Sequence, residues 1–372
     1  MKVLHLTSGN LFGGIESYLL TLARLRHLAP EMEPQFGVCF PGRLRDGLTA
    51  AEVPVCDLGP VRVSRLWTVL QARRRLVAVL RRQSVDAVVT HDIWPHAVFG
   101  SAVKRAGVRL VNAVHGVLTG RHWLERWAAR TRPDALVANS RFTAGPASAL
   151  FGRTAAVVHC PVAAPVIDAA ATRLAIRREL GTPPGTTVIL QASRLEEWKG
   201  HRNHVAALGH LAAVPGWQAW FAGGPQKAGE EEYLRELKRA SAAFGIADRV
   251  LFLGQRSDVR ALMAASDIFC QPNSGPEPFG IALVEAFHAG LPVVSSRFGG
   301  AAEIVDATCG VLVPTGDIPA LADALRSLLL DPQRRRELGN AGPTRAFELC
   351  DPARQMARLA ELVSGCSPVL NR

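Results

Sequence analysis

Two glutamates eight residues apart, Glu277 and Glu285, bracket a Pro278-Phe279-Gly280-Ile281 turn. An ionised carboxylate only accepts hydrogen bonds, so two of them aimed at one place suit the hydroxyls of a sugar or a ribose. The turn reads as a helix entry: Pro278 and Gly280 punctuate it and an apolar run follows. A helix start presents unpaired backbone N–H groups and the positive end of the peptide dipoles, which suits a phosphate.

Those residues need a scaffold, and the hydrophobic pattern supplies one. Apolar runs at 2–6, 35–40, 87–90, 110–114 and 135–138 alternate with helical stretches at about 15–28 and 64–82, the first entered through a turn at 9–14. A segment with four prolines and a run of alanines follows at 161–184, and the pattern then restarts. Strands are expected at 187–191, 218–222, 249–253, 268–271 and 292–295, with helices at 201–213, 230–244, 259–264 and 281–289. Alternation of this kind implies parallel sheets covered by helices on both faces. The expected fold is α/β: two Rossmann-like, doubly wound domains facing each other across a cleft. The first would span 1–165 and the second 166–349, with a C-terminal helix at about 350–366 packing back on the first. Such domains bind ligands beyond the C-terminal ends of their strands.

Composition narrows the class. The 372 residues are 48% hydrophobic and 20% charged, which excludes disordered, collagenous and coiled-coil chains. There is no run of 18 apolar residues, and the N-terminus lacks the long apolar stretch of a secretory signal. Seven scattered cysteines without a C-x-x-C pair fit reduced thiols in the cytoplasm. Residues 1–165 hold 21 Lys and Arg against 10 Asp and Glu, so the whole net charge of +11 sits there. Within it, 61–83 carries seven arginines and no acid, interleaved with Leu66, Trp67, Leu70, Leu76, Val77 and Leu80. Either this is a core-packed helix with a solvated basic face, or it is a helix that lies on an anionic membrane. Three or four outward arginines would supply roughly 3–4 kcal/mol toward an anionic leaflet, enough for reversible docking. Nucleic acid is not expected, because helix-turn-helix, zinc and aromatic-sheet signatures are missing.

The stretch 277–294 resembles the signature of glycosyltransferase family 4, retaining nucleotide-sugar transferases of the GT-B fold, whose E-[PG]-F-G-x-x-x-x-E-A-x-x-x-G-x-P-V-V run it matches. The likeness continues through Gly299-Gly300 and Glu303, the Arg194-Leu195 to Lys199-Gly200 run, Phe221 to Pro225, Val250 to Gly254 and Gly310 to Asp317. In the first half, Gly13-Gly14-Ile15-Glu16, Val114-His115-Gly116 and Ala138-Asn139-Ser140 extend it. His159-Cys160-Pro161 departs from the family's usual Asn followed by Gly or Pro.

The resemblance implies roles. Arg194 and Lys199 would grip the donor diphosphate, each cation being worth roughly 4 kcal/mol at about 4 Å and an effective dielectric of 20. Gly14 would let the first loop approach that diphosphate, a position where a Cβ is expected to clash or forbid the dihedral. Glu285 would bind the donor ribose and Glu277 the hydroxyls of the transferred sugar. Phe279, Gly280 and Ile281 would offer backbone N–H groups to sugar and phosphate. His115 would face the donor sugar across the cleft, which with Glu277 makes the catalytic pair. Gly13, Glu16 and His91 would lie on the acceptor side. His201 and His204 read as polar surface, and Glu230-Glu231-Glu232 as a helix N-terminal charge run. No D-x-D motif occurs, and neither a metal nor another cofactor is expected. The implied substrates are a nucleotide-diphosphate sugar and a glycan or lipid-linked acceptor, in cell-envelope, lipopolysaccharide or exopolysaccharide synthesis. Two other readings stay open here. One is a non-catalytic relative that binds sugar nucleotides or glycans. The other is a Rossmann oxidoreductase, although G-x-x-x-G-G after the first strand is not G-x-G-x-x-G.

Overall fold

The computed structural model describes residues 1–9 and 13–365. Part of the turn expected at 9–14, and the last residue of the helix expected at 350–366, lie outside the described residues. The chain divides into two compact units, one built from Met1–Pro161 with Cys350–Arg372, the other from Val162–Leu349.

The first unit runs β1 (Lys2–Leu6), α1 (Gly14–Arg24), β2 (Glu33–Val38), α2 (Arg43–Ala50), β3 (Val55–Asp57), α3 (Leu66–Gln83), β4 (Ala87–His91), α4 (Ile93–Arg105), β5 (Arg109–Val114), α5 (Trp123–Ala129), β6 (Ala135–Ala138), α6 (Arg141–Phe151) and β7 (Ala156–Val157). Its seven strands are all parallel, in the order β3-β2-β1-β4-β5-β6-β7. The central strands are buried on both faces, which is why they read as unbroken apolar runs rather than alternating ones. Helix α3 closes one face by burying Val69, Ala72, Leu76, Val79 and Leu80 beside Leu4, Leu6, Val88 and Phe99. Truncating Leu76 to Ala would cost about 3 kcal/mol in transfer and cavity terms.

The second unit runs α7 (Ala169–Glu179), β8 (Thr187–Ala192), α8 (His201–Gly209), β9 (Trp217–Ala222), α9 (Glu230–Ala243), β10 (Val250–Gly254), α10 (Val259–Ala265), β11 (Ile268–Gln271), α11 (Ile281–His288), β12 (Val293–Ser296), α12 (Ala301–Ile304), β13 (Gly310–Val313), α13 (Ile318–Leu330) and α14 (Pro332–Cys350). Six parallel strands take the order β10-β9-β8-β11-β12-β13. Glu230, Glu231 and Glu232 form the acidic first turn of α9, facing the positive end of its dipole. The last helix, α15 (Pro352–Ser364), belongs to the first unit, where Arg109 donates to the carbonyl of Leu362 at 3.2 Å.

Each sheet reverses its winding once, between β1 and β4 in the first unit and between β8 and β11 in the second. At such a point the connections leave to opposite faces and open a crevice at the strand ends.

Candidate active site

At the second unit's reversal, β8 leads into the segment carrying Arg194 and Lys199, and β11 leads into the loop carrying Glu277. Lys199 ends a one-turn 3₁₀ helix, Glu197–Lys199, and Gly200 follows it in the left-handed region at φ +74°. A Cβ on Gly200 would lie 1.9 Å from the Pro272 carbonyl oxygen, so only glycine lets the two strand-end loops close together. That closeness brings the Lys199 ammonium to 2.7 Å from Glu277 Oε2, with little of either side chain exposed.

The Glu277 carboxylate is gripped from one side. Oε2 also accepts from Gln271 Nε2 at 3.0 Å and Asn273 Nδ2 at 2.7 Å, while Oε1 takes part in none of these three bonds. The backbone is pinned as well, because Gly300 N donates to the Glu277 carbonyl at 2.6 Å. Gly299, at φ +71°, passes so close that a Cβ would meet the same carbonyl at 2.3 Å. The glycine pair of the motif thus fixes the carboxylate's position.

Arg194 pairs with Glu196 at 2.9 Å, and Lys227 pairs with the other oxygen of that carboxylate at 2.7 Å. Burial raises the Glu196 pKa, but Lys227, Arg194 and the Trp198 indole N–H together hold it below the usual carboxylate range. Trp198 lies under the Lys199 ammonium at 4.0 Å, a cation–π contact. A continuous chain therefore joins Arg194, Glu196, Trp198, Lys199 and Glu277. Glu285 stands apart from it on α11, 3.3 Å from Arg260 of α10. The two line a shallow surface recess with Ala163, Pro165, Met263 and Ala289. Burial pushes the Glu285 carboxyl up and Arg260 opposes the shift. Phe279 is buried, and Gly280 caps α11 so that Ile281 opens its first turn, where backbone N–H groups lack intrahelical partners.

Beneath the Lys199 segment lies a polar network that the sequence did not suggest. His201 and His204, expected at the surface, are 2% and 0% exposed. They sit on the face of α8 turned toward β8, where His204 Nδ1 lies 2.8 Å from Gln191 Oε1 and His201 Nε2 lies 3.3 Å from Ser193 Oγ. Gln191 in turn donates to the Lys199 carbonyl at 2.9 Å. Burial pushes the two imidazoles down to about 4 and about 3, keeping them neutral beside the lysine.

At the first unit's reversal the groups are neutral. His115 follows β5, and its Nε2 lies 3.0 Å from His91 Nδ1; His91 Nε2 lies 2.9 Å from His5 Nδ1 on β1. His91, expected to touch an acceptor, is 1% exposed and has both ring nitrogens occupied, so it reaches a ligand only through His115. Tyr18 of α1 packs on the His115 ring with centroids 4.9 Å apart. Asn139 donates to the His115 carbonyl at 3.4 Å, which explains the Asn-Ser turn after β6. Glu16 is buried and accepts from the Gly13 N–H at 3.0 Å, closing the loop onto its own helix. Gly13 is extended, and Gly14 is exposed, with nothing within 4 Å of where a Cβ would stand. The dihedral half of the expectation for Gly14 is thereby corrected, because its φ is not positive and no described residue crowds a Cβ there. Among the described residues, no cluster of three or more His, Cys, Asp or Glu side chains is arranged to hold a metal ion.

Two families account for this architecture. The family described as "Glycosyltransferase Family 4" matches residues 12–164, and "Glycosyl transferases group 1" matches residues 172–345. The chain is 32% identical over 334 residues to a GDP-mannose-dependent alpha-(1-6)-phosphatidylinositol monomannoside mannosyltransferase of Mycolicibacterium smegmatis, covering 82% of this chain and 84% of that protein. It is 29% identical to a GDP-mannose-dependent monoacylated alpha-(1-6)-phosphatidylinositol monomannoside mannosyltransferase of Corynebacterium glutamicum, covering 89% and 88%. The structure of Anabaena Alr3699/HepE in complex with UDP-glucose superposes with a TM-score of 0.85 at 25% identity, covering 98% of this chain and 100% of that one. The chain belongs to glycosyltransferase family 4, and its two parallel-sheet domains are those of the GT-B fold. It is a glycosyltransferase, which sets the oxidoreductase reading aside.

Proposed function

We propose that the protein transfers a hexose from a nucleotide-diphosphate sugar to a glycan or lipid-linked acceptor, with retention at the anomeric carbon. The observation that carries this reading is the Lys199–Glu277 pair beside the α11 N-terminus, with Arg194 in the same chain of contacts. A diphosphate draws the Lys199 ammonium toward itself, while Glu277 Oε1 remains for a sugar hydroxyl. Arg194, Lys199 and the first-turn N–H groups, with Phe279, Gly280 and Ile281 contributing backbone, stabilise the charge that grows on the departing nucleotide. Because these groups supply positive charge at the leaving oxygens, we propose that no metal is needed. Glu285 takes the ribose hydroxyls, and His115 hydrogen-bonds the transferred sugar.

The chemistry balances without an additional base. The bond from the anomeric carbon to the pyrophosphate oxygen breaks, and the acceptor oxygen bonds to that carbon on the same face. The acceptor's proton passes to the departing phosphate oxygen. The mannosyltransferase relatives and the UDP-glucose complex support testing GDP-mannose and UDP-glucose first. The phosphatidylinositol-mannoside enzymes, with a lipopolysaccharide core glycosyltransferase of Rhizobium meliloti 32% identical over 167 residues, support an envelope glycan as acceptor.

Contact with the inner face of the cytoplasmic membrane belongs to the same reading. No described helix is long and apolar enough to cross a membrane. Helix α3, however, exposes Leu66, Trp67 and Leu70 next to exposed Arg65 and Arg74, while Arg73 turns inward to the Val98 carbonyl at 2.6 Å. A panel of nucleotide sugars assayed for hydrolysis and for transfer to lipid and glycan acceptors, with anomeric analysis by NMR, tests the reading. Turnover with an α-product from an α-donor, unaffected by EDTA, is expected; inversion or EDTA-sensitive turnover would overturn the mechanism.

A further inference from the structure

The three imidazoles of the first unit form a single hydrogen-bonded row. His5 and His91 lie at the ends of adjacent strands β1 and β4, and His115 follows β5, so the sheet itself lines them up. The rings stack at centroid distances of 5.2 Å for both neighbouring pairs. At one end, the buried Nε2 of His5 has no hydrogen-bond partner. At the other, Nε2 of the half-buried His115 is taken by His91, so its Nδ1 is the nitrogen left to face a ligand.

A neutral imidazole carries one N–H and one bare nitrogen. With both links made, the three rings cannot choose independently. Either all carry the proton on Nδ1, so that each donates toward His115, or all carry it on Nε2, so that each donates toward His5. Burial keeps the row neutral by pushing His5 down to about 3, His91 well below its ordinary value and His115 to about 4. The deep end decides between the two states. The second state would leave an N–H on His5 Nε2 pointing at nothing, and orphaned buried N–H groups are rarer than under-satisfied acceptors.

We propose that His5 and His91 are positioning residues that lock His115 as the Nδ1–H tautomer, making it a hydrogen-bond donor to the oxygens of the bound sugar or its phosphate. The strained neighbour Asp92 supports the same placement. It holds φ +77° and ψ −175°, a region otherwise reserved for glycine. Its carboxylate sits 3.1 Å from where a Cβ on Gly116 would be, so glycine there lets it lie against the turn after His115. The Asp92 N–H donates to the Ala113 carbonyl at 2.7 Å, which ties this turn to the end of β5 just before His115.

The ligand half of this inference rests on the transferase reading above; the tautomer half does not. The test is a long-range ¹H–¹⁵N NMR spectrum of histidine-labelled full-length protein, assigned with single-histidine variants. Expected are Nδ1–H patterns for all three rings in the wild type. His5→Asp, whose carboxylate accepts from His91 Nε2, should turn His91 and His115 over to the Nε2–H tautomer and raise the donor-sugar KM roughly tenfold, the worth of about one hydrogen bond. His5→Phe, which leaves His91 Nε2 as the deep end of the row with the same bar to an orphaned N–H, should keep His115 as the Nδ1–H tautomer. An Nε2–H His115 in the wild type would overturn the proposal even if His5→Asp fails to fold. So would a His115 spectrum indifferent to His5→Asp. If the Nδ1–H patterns appear but no nucleotide sugar is turned over, the tautomer lock stands and the transferase reading falls.

Discussion

In the first unit, three neutral rings stand at the β1–β4 reversal; in the second, two cations and two carboxylates stand around the β8–β11 reversal. The same topological device is filled with opposite electrostatics. The contrast runs against the chain's charge distribution, since the whole net charge of +11 belongs to residues 1–165 and the remainder is balanced. The charge-rich part thus sets neutral imidazoles, with the Asp92 carboxylate beside them, at its strand ends and carries arginines on the surface, with Arg62, Arg65, Arg74, Arg75, Arg81 and Arg82 all exposed. The balanced part concentrates ions where a diphosphate would sit. Net charge therefore sits on the outer surface of the first unit, whereas the second unit's site charge comes from residues at strand ends. Preorganisation differs as well. The second unit holds its groups through ion pairs that a ligand can exchange, and the first holds His115 through a buried row that no ligand reaches.

The sharpest way to break the contrast is to discharge the second unit's site. Lys199→Ala and Arg194→Ala should each lower the transfer rate on the order of 10²–10³-fold, read from initial rates with saturating acceptor. Lys199→Ala also strands the buried Glu277 carboxylate, so it should destabilise the unit by about 3 kcal/mol in urea unfolding. Losses confined to stability, with turnover intact, would reduce the pair to a structural ion pair.

Glu285 sharpens the comparison through pH. Burial raises its pKa above that of a surface carboxylate, so on acidification it loses its charge, and with it the proposed hold on ribose hydroxyls, earlier than a surface group would. Arg260 pulls in the opposite direction. Arg260→Ala should therefore move the acid limb of donor kcat/KM to higher pH, and Glu285→Gln should remove that limb while raising donor KM roughly tenfold. An acid limb that stays put in both variants would detach Glu285 from the donor.

Smaller effects probe the first unit. Gly14→Ala meets open space, so unfolding stability should change by less than about 0.5 kcal/mol. A several-fold rise in donor KM in the same variant would show that a ligand, rather than the fold, requires glycine there. On α3, replacing Leu66, Trp67 and Leu70 by Ala should weaken cosedimentation with anionic vesicles several-fold and leave the weaker binding to neutral vesicles unchanged. Equal binding of the wild type to both vesicle types would assign the arginines to a solvated face.

Much of this is legible in the residues. Buried parallel strands announce themselves as apolar runs, and the strands expected at 135–138 and 268–271 coincide with the observed ones. The short edge strands Val55–Asp57 and Ala156–Val157 do not, because two or three half-exposed residues carry no period. The motif spacing points to Glu277 and Lys199, but not to their direct pairing, which depends on Gly200 passing the Pro272 carbonyl. The burial of His201 and His204 escapes the sequence for a physical reason. Polar residues at a helix start look solvated unless a partner on the neighbouring strand is known, and Gln191 looks like an ordinary strand residue. The histidine row is equally invisible: His5, His91 and His115 are far apart in sequence and meet only through the strand order.

The account rests most directly on Lys199 gripping a diphosphate in the second unit. Isothermal titration of GDP and UDP, and of the corresponding nucleosides, into wild type and Lys199→Ala measures that grip. The prediction is that a nucleoside diphosphate binds the wild type and loses at least tenfold in affinity to Lys199→Ala, while nucleoside binding is unchanged. Equal diphosphate affinity in both proteins, or no diphosphate binding at all, would contradict it.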